Sequence, residues 1–165
     1  MRQRIIFVFF FAALFGQGAA AQVAIPDKKG GLGFREEVMG LGLFGGPTSG
    51  LGVSFRHHLR IPVSYQLTGG IIKVDDRLLY DFGGELQFDL SRGEGNRLFV
   101  VGGVGYYYAS RSSSNEMDAP WRIGLGAGIE QGFSPSVGVA IELLFTYFTD
   151  GTVLPLPQVG IFYYF

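Results

Sequence analysis

The sequence predicts an all-β chain, an eight-stranded antiparallel up-and-down transmembrane β-barrel. Three observations carry that prediction. Apolar side chains recur at every second position in one segment after another, the period of a strand whose two faces meet different surroundings. The alternate positions hold mostly glycine, serine, threonine and glutamine, whereas a soluble barrel would turn many Lys, Glu, Asp and Arg side chains toward water. The chain also opens with an export signal, and no later apolar run is long enough to cross a bilayer as a helix, so any insertion must use strands.

The elements follow in order. Arg2 and Arg4 precede the apolar run Ile5 to Phe15, and Gly16 to Ala21 supply small residues before Gln22, the three parts of a cleavable secretory signal over residues 1–21. Eleven apolar residues make a helix of about 16 Å, roughly half the ~30 Å of a bilayer core, which argues against a permanent anchor. Cleavage leaves eleven basic against fourteen acidic residues, a net charge of about −3. Residues 22–32 read as a short flexible periplasmic leader, polar and broken by Pro26, Gly30 and Gly31.

The barrel is assigned to residues 33–165. Leu51, Val53 and Phe55 alternate with Gly52, Ser54 and Arg56, and Val63, Tyr65 and Leu67 with Ser64, Gln66 and Thr68. Phe82, Leu86, Phe88 and Leu90 lie opposite Asp81, Glu85, Gln87 and Asp89. Trp121, Ile123, Leu125 and Ile129 lie opposite Arg122 and Glu130 across a row of glycines. Val139, Ile141, Leu143, Phe145 and Tyr147 oppose Glu142 and Thr146, and Val159, Ile161, Tyr163 and Phe165 close the chain. Two further strands, around Glu37 to Phe44 and Arg97 to Tyr108, are glycine-rich and apolar on both faces, which leaves their facing open. Turn signals separate the strands at 45–50, 57–60, 74–79, 91–96, 109–120, 133–136 and 149–154. Connections this short suit antiparallel neighbours, because a parallel crossover needs a dozen residues or more.

With the apolar face toward lipid, Arg56, Asp81, Glu85, Asp89, Arg122, Glu130 and Glu142 point inward. They are expected to form a salt-bridge and hydrogen-bond network that fills a lumen only wide enough for side chains. With both termini periplasmic, Tyr80, Tyr106, Trp121 and Tyr147 fall near the outer rim, and Phe34, Phe133 and Phe165 near the inner one, as aromatic girdles do.

The chain resembles the small eight-stranded outer-membrane barrels of the OmpX and OmpA transmembrane-domain type over Gly33 to Phe165. The terminal strand carries most of the resemblance, with Val159, Ile161, Tyr163 and Phe165 at alternate positions up to a final aromatic residue, and the stretch Trp121 to Glu130 adds to it. The resemblance implies an outer-membrane location, insertion by the barrel assembly machinery reading that last strand, and contact with outer-membrane lipid and lipopolysaccharide. It also implies protein partners reached through extracellular loops.

Little in the sequence points to other chemistry. Net charge −1 without a Lys/Arg cluster excludes a nucleic-acid partner, and the absence of cysteine removes disulfides and thiolate sites. His57 and His58 are expected at a periplasmic turn, away from outer-rim Ser110, Ser112, Ser113, Ser114, Asp118 and Asp150, so a lipid A-modifying enzyme lacks its base there. Gly40 to Gly45 match G-x-G-x-x-G but run into Pro47 and a turn instead of a helix, and neither Asp75-Asp76 nor Glu116/Asp118 has the spacing of a calcium loop. No cofactor and no metal site is expected. The expected function is a non-enzymatic barrel for envelope structure, surface interaction or membership of a larger assembly. A narrow pore, a lipid A-modifying enzyme and a soluble carrier are the alternatives.

Overall fold

The computed structural model describes residues 37–93, 95–110 and 115–165, with Val74 through its backbone alone. The expected signal segment 1–21, the leader 22–32 and the rim residue Phe34 lie outside the described residues. Eight strands close in sequence order: β1 (Val38–Gly46), β2 (Gly50–His58), β3 (Val63–Val74), β4 (Arg77–Arg92), β5 (Asn96–Ser110), β6 (Trp121–Ser134), β7 (Val137–Phe148) and β8 (Val153–Tyr164). Each pairs antiparallel with the next, and β1 pairs with β8 from Gly40↔Tyr164 to Gly45↔Val159, so the sheet closes on itself.

Alternation dictates which face goes where. Leu86, Leu125, Ile123 and Phe145 stand outside at 67%, 69%, 59% and 61% exposure, while the residues between them are buried. A continuous apolar exterior of this size is unstable in water and requires lipid or another apolar partner. The two glycine-rich strands resolve the same way. In β5, Arg97, Phe99 and Val101 face in and Leu98, Val100 and Val104 face out; in β1, Val38 and Phe44 face in and Leu41 and Leu43 out.

Several predicted turns shrink because the strands run further than their alternation suggested. The stretch 74–79 is a hairpin around Asp75 and Asp76, with Asp75 in the left-handed region (φ 52) that Asp tolerates. β2 continues through His58, so the turn at 57–60 begins only at Leu59. Pairing of β2 with β3 stops at Val53↔Gly69, whereas β3 stays paired with β4 as far as Val74↔Arg77. That hairpin therefore projects past its β2 neighbour, with Ile71, Ile72, Leu78 and Leu79 exposed. At the opposite end a bulge between Asp89 and Ser91 leaves Leu90 and Ser91 both exposed.

Candidate functional site

Register brings the polar side chains of the lumen together. Arg56 lies across from Gln66, Gln66 across from Glu85, Arg97 across from Glu130, and Glu142 across from Gln158, so neighbouring strands offer complementary groups at one level. Arg56, wholly buried, donates from Nη1 to Glu130 Oε2 at 2.8 Å, from Nη2 to Glu142 Oε1 at 3.2 Å and from Nε to Gln66 Oε1 at 2.7 Å. Arg97 donates from Nε to the same Glu130 oxygen at 2.8 Å, from Nη1 to Asp89 Oδ1 at 2.7 Å and from Nη2 to Gln87 Oε1 at 2.6 Å. Tyr164 donates to the other oxygen of Glu130. His58 bonds Ser64 through Nδ1 (2.7 Å) and Tyr164 through Nε2 (3.1 Å). Such a network tolerates buried charge because each ion is met by an opposite charge and by further hydrogen bonds.

Above this layer Glu85 meets Glu142, and Arg56 reaches only the latter. Gln87 donates to Glu85 (3.0 Å) and to Glu142 (3.2 Å), and Gln158 donates to the same pair at 3.0 and 3.3 Å. The next layer up is the β1–β2 connection itself, turned into the barrel. Thr48 and Ser49 are fully buried. The Thr48 amide donates to Gln158 Oε1 (3.0 Å), its hydroxyl pairs with that of Thr146 (2.5 Å), and the Ser49 hydroxyl donates to Glu85. Arg122 donates to the Pro47 carbonyl (2.6 Å) and lies 3.9 Å over the Tyr107 ring, Tyr107 donates to the Gly46 carbonyl (2.5 Å), and Asp81 accepts from the Leu51 amide (2.6 Å).

The facing strands make room for this turn. A β-carbon on Gly83 would overlap the carbonyl oxygen of Ser49, and one on Gly105 that of Thr48, so the glycines on the inner faces of β4 and β5 are the complement of the connection.

All seven charged residues singled out in the sequence project inward, but they divide between two places. Arg56, Glu85, Asp89, Glu130 and Glu142 belong to the buried lumen layers, and Asp81 and Arg122 hold the turned-in β1–β2 connection at one mouth of the barrel. Sequence reasoning missed Arg97, whose strand is apolar on both faces, and His58, expected on a surface turn. The lumen is also less polar than expected: Phe44, Phe99, Phe162 and Tyr164 are inside, with the guanidinium of Arg56 4.0 Å over Phe162 and that of Arg97 4.2 Å over Phe99.

On the outside, Tyr80, Tyr106 and Trp121 form one contiguous cluster with Tyr108, which stacks on Tyr80 at 4.6 Å. Tyr147, opposite Ile123, continues that rim. Phe133 and Phe165 are exposed at the far end, and Val159, Ile161 and Tyr163 stand outward on β8. Ser112, Ser113 and Ser114 lie outside the described residues.

The backbone is similar to the crystal structure of the N-terminal β-barrel domain of Pseudomonas aeruginosa OprF, with a TM-score of 0.60 and 18% identity over 79% of this chain and 98% of that domain. The fold is that of the eight-stranded outer-membrane barrels. The backbone structure of the Yersinia pestis outer membrane protein Ail in a phospholipid bilayer nanodisc is also similar, with a TM-score of 0.44 and 15% identity over 78% of this chain and 97% of that one. No protein-family model and no curated protein matches the sequence.

Proposed function

We propose that the protein is a small, non-enzymatic barrel of the bacterial outer membrane with a closed lumen, serving envelope structure and presenting its outer hairpins at the cell surface. The apolar exterior and the signal-like residues 1–21 support the location. Lipid and lipopolysaccharide are then the partners of the outer face, and the barrel assembly machinery the partner of β8.

The observation that carries the reading is the filling of the lumen by two contributions. Strand side chains from Arg56 to Tyr164 occupy its inner half, and the buried Thr48 and Ser49 occupy its outer half. The two histidines stand at the end of β2 away from the β1–β2 connection; in the proposed orientation that is across the barrel from the outer leaflet, which argues against a lipid A-modifying site.

Planar-bilayer recording of the refolded mature protein tests this. A closed lumen gives no steady openings, whereas regular single-channel steps would favour a narrow pore. Altered lipid A on overexpression would favour an enzyme.

A further inference from the structure

At the end of the barrel where β2 meets β3 lies a cleft that borders the lumen network at Asp89. Between the β2–β3 turn and the bulge of β4 lies a cavity of about 250 Å³ lined by Arg60, Ile61, Asp89, Leu90, Ser91 and Arg92, among others. The Asp89 amide donates to the Pro62 carbonyl (2.9 Å), which ties the turn to the bulge and fixes the two walls. The bulge makes the cleft amphipathic. Leu90 (57% exposed) and Ile61 (56% exposed) form its apolar lip, and Ser91 follows Leu90 directly.

Its opening carries two guanidiniums, each already paired with a carboxylate: Arg92 with Asp89 and Arg60 with Glu37. The Asp89 carboxylate is 3% exposed and already engages Arg97 and Arg92. Arg60 is 74% exposed and meets Glu37 through Nε, and Arg92 is 21% exposed. Two guanidiniums and a hydroxyl thus stand at the cleft, with Glu37 as the accessible counter-charge beside Arg60.

Depth in the membrane decides what such a cleft can meet. From Tyr80 at the outer rim to Leu90 the strand runs about 33 Å, or about 25 Å along the membrane normal at a ~40° tilt, the height of the apolar band of a membrane barrel. Leu90 therefore ends the hydrocarbon-facing run, and Ser91, Arg60 and Arg92 lie at headgroup level. Guanidinium groups match phosphate oxygens in geometry and charge, and at headgroup depth a lipid phosphate can compete with the exposed Glu37 for Arg60.

We propose that this cleft binds the phosphate of one inner-leaflet phospholipid, with Arg60 and Arg92 on the phosphate and the acyl chains against Ile61 and Leu90. The proposal rests on the reading that the barrel spans the outer membrane with this end inward.

The test is native mass spectrometry of the folded mature barrel in non-ionic detergent, titrated with dioleoyl-phosphatidylglycerol. One lipid adduct should persist at low lipid. Its apparent affinity should fall about tenfold or more in Arg60→Gln/Arg92→Gln, as loss of charge-assisted hydrogen bonds implies, and stay unchanged in Arg77→Gln at the outer hairpin. Equal adducts in all three proteins would overturn the site, and displacement of the lipid by millimolar inorganic phosphate would overturn the lipid assignment in favour of a free anion. Heat-dependent gel mobility, recorded for each protein, separates these outcomes from misfolding. If the double variant does not fold, the exposed Arg60→Gln alone carries the comparison. Failure of the unaltered protein to show that mobility shift would instead count against the membrane reading.

Discussion

Arg56→Met tests the lumen network most directly, because Met keeps much of the aliphatic stem over Phe162 while removing the charge. The two carboxylates that Arg56 serves would not suffer equally. Glu130 keeps Arg97 at 2.8 Å and the Tyr164 hydroxyl. Glu142 loses its salt bridge at 3.2 Å and is left with two carboxamide donors that it shares with Glu85. Removing one partner of a buried pair typically costs about 3–5 kcal/mol, and here the loss concentrates at Glu142.

The expectation is thus a destabilisation of about 3 kcal/mol or more for Arg56→Met, and a smaller one for Glu142→Gln alone, which also relieves the contact with Glu85. Combined, the two substitutions should recover about 2 kcal/mol relative to the sum of the singles, the coupling typical of charges in one network. Urea unfolding in phospholipid vesicles reads this through the fluorescence of Trp121, the one tryptophan in the chain. The reasoning fails if Arg56→Met costs less than about 1 kcal/mol, or if Glu142→Gln costs the same with and without Arg56.

Three other outcomes are expected. Gly105→Ala should push the β1–β2 connection out of the lumen, so that a thiol introduced as Thr48→Cys, unique in a cysteine-free chain, is labelled rapidly from outside in that background and slowly otherwise. Arg122→Leu should destabilise by about 1–3 kcal/mol through loss of its charged hydrogen bond to Pro47, while Ile123→Leu, which faces outward, should leave the urea midpoint unchanged; equal effects would mean the facing of β6 is reversed. Deleting Phe165 should reduce outer-membrane yield in cells far more than it lowers the stability of barrels refolded in vitro, and normal yield would remove the sorting role from the last strand.

The architecture was legible wherever an apolar exterior alternates with polar or small interior residues, as along Trp121 to Glu130 and Val137 to Tyr147. It was illegible where glycine and apolar residues occupy both faces, as in β1 and β5. In β5, Arg97 is followed on its own face by Phe99 and Val101, so alternation alone could not say which side its charge took. What identifies Arg97 is its partner across the register, Glu130, and register emerges only on closure. The turned-in connection was hidden for another reason. Pro47, Thr48, Ser49 and the glycines around them read locally as an ordinary exposed turn, and the residues that hold it, Asp81, Gly83, Gly105, Arg122 and Gln158, are scattered over four other strands. His58 was assigned to a turn because strand ends are set by pairing, here with Ser64 across β3, and not by the identity of the residue.

With the proposed outer-membrane orientation, the inward course of residues 47–49 also bears on how the cell surface can diverge. Up-and-down barrels ordinarily keep their outer connections free to vary in length and sequence, since variation there disturbs no core. In this chain one of the four outer connections belongs to the interior. Insertions or epitope tags should be accepted at Asp75-Asp76, between β5 and β6, or after Phe148, and rejected between Gly46 and Gly50. On that orientation, tolerated changes of length and sequence should concentrate at the other three connections, and the first should accept as little as a strand does.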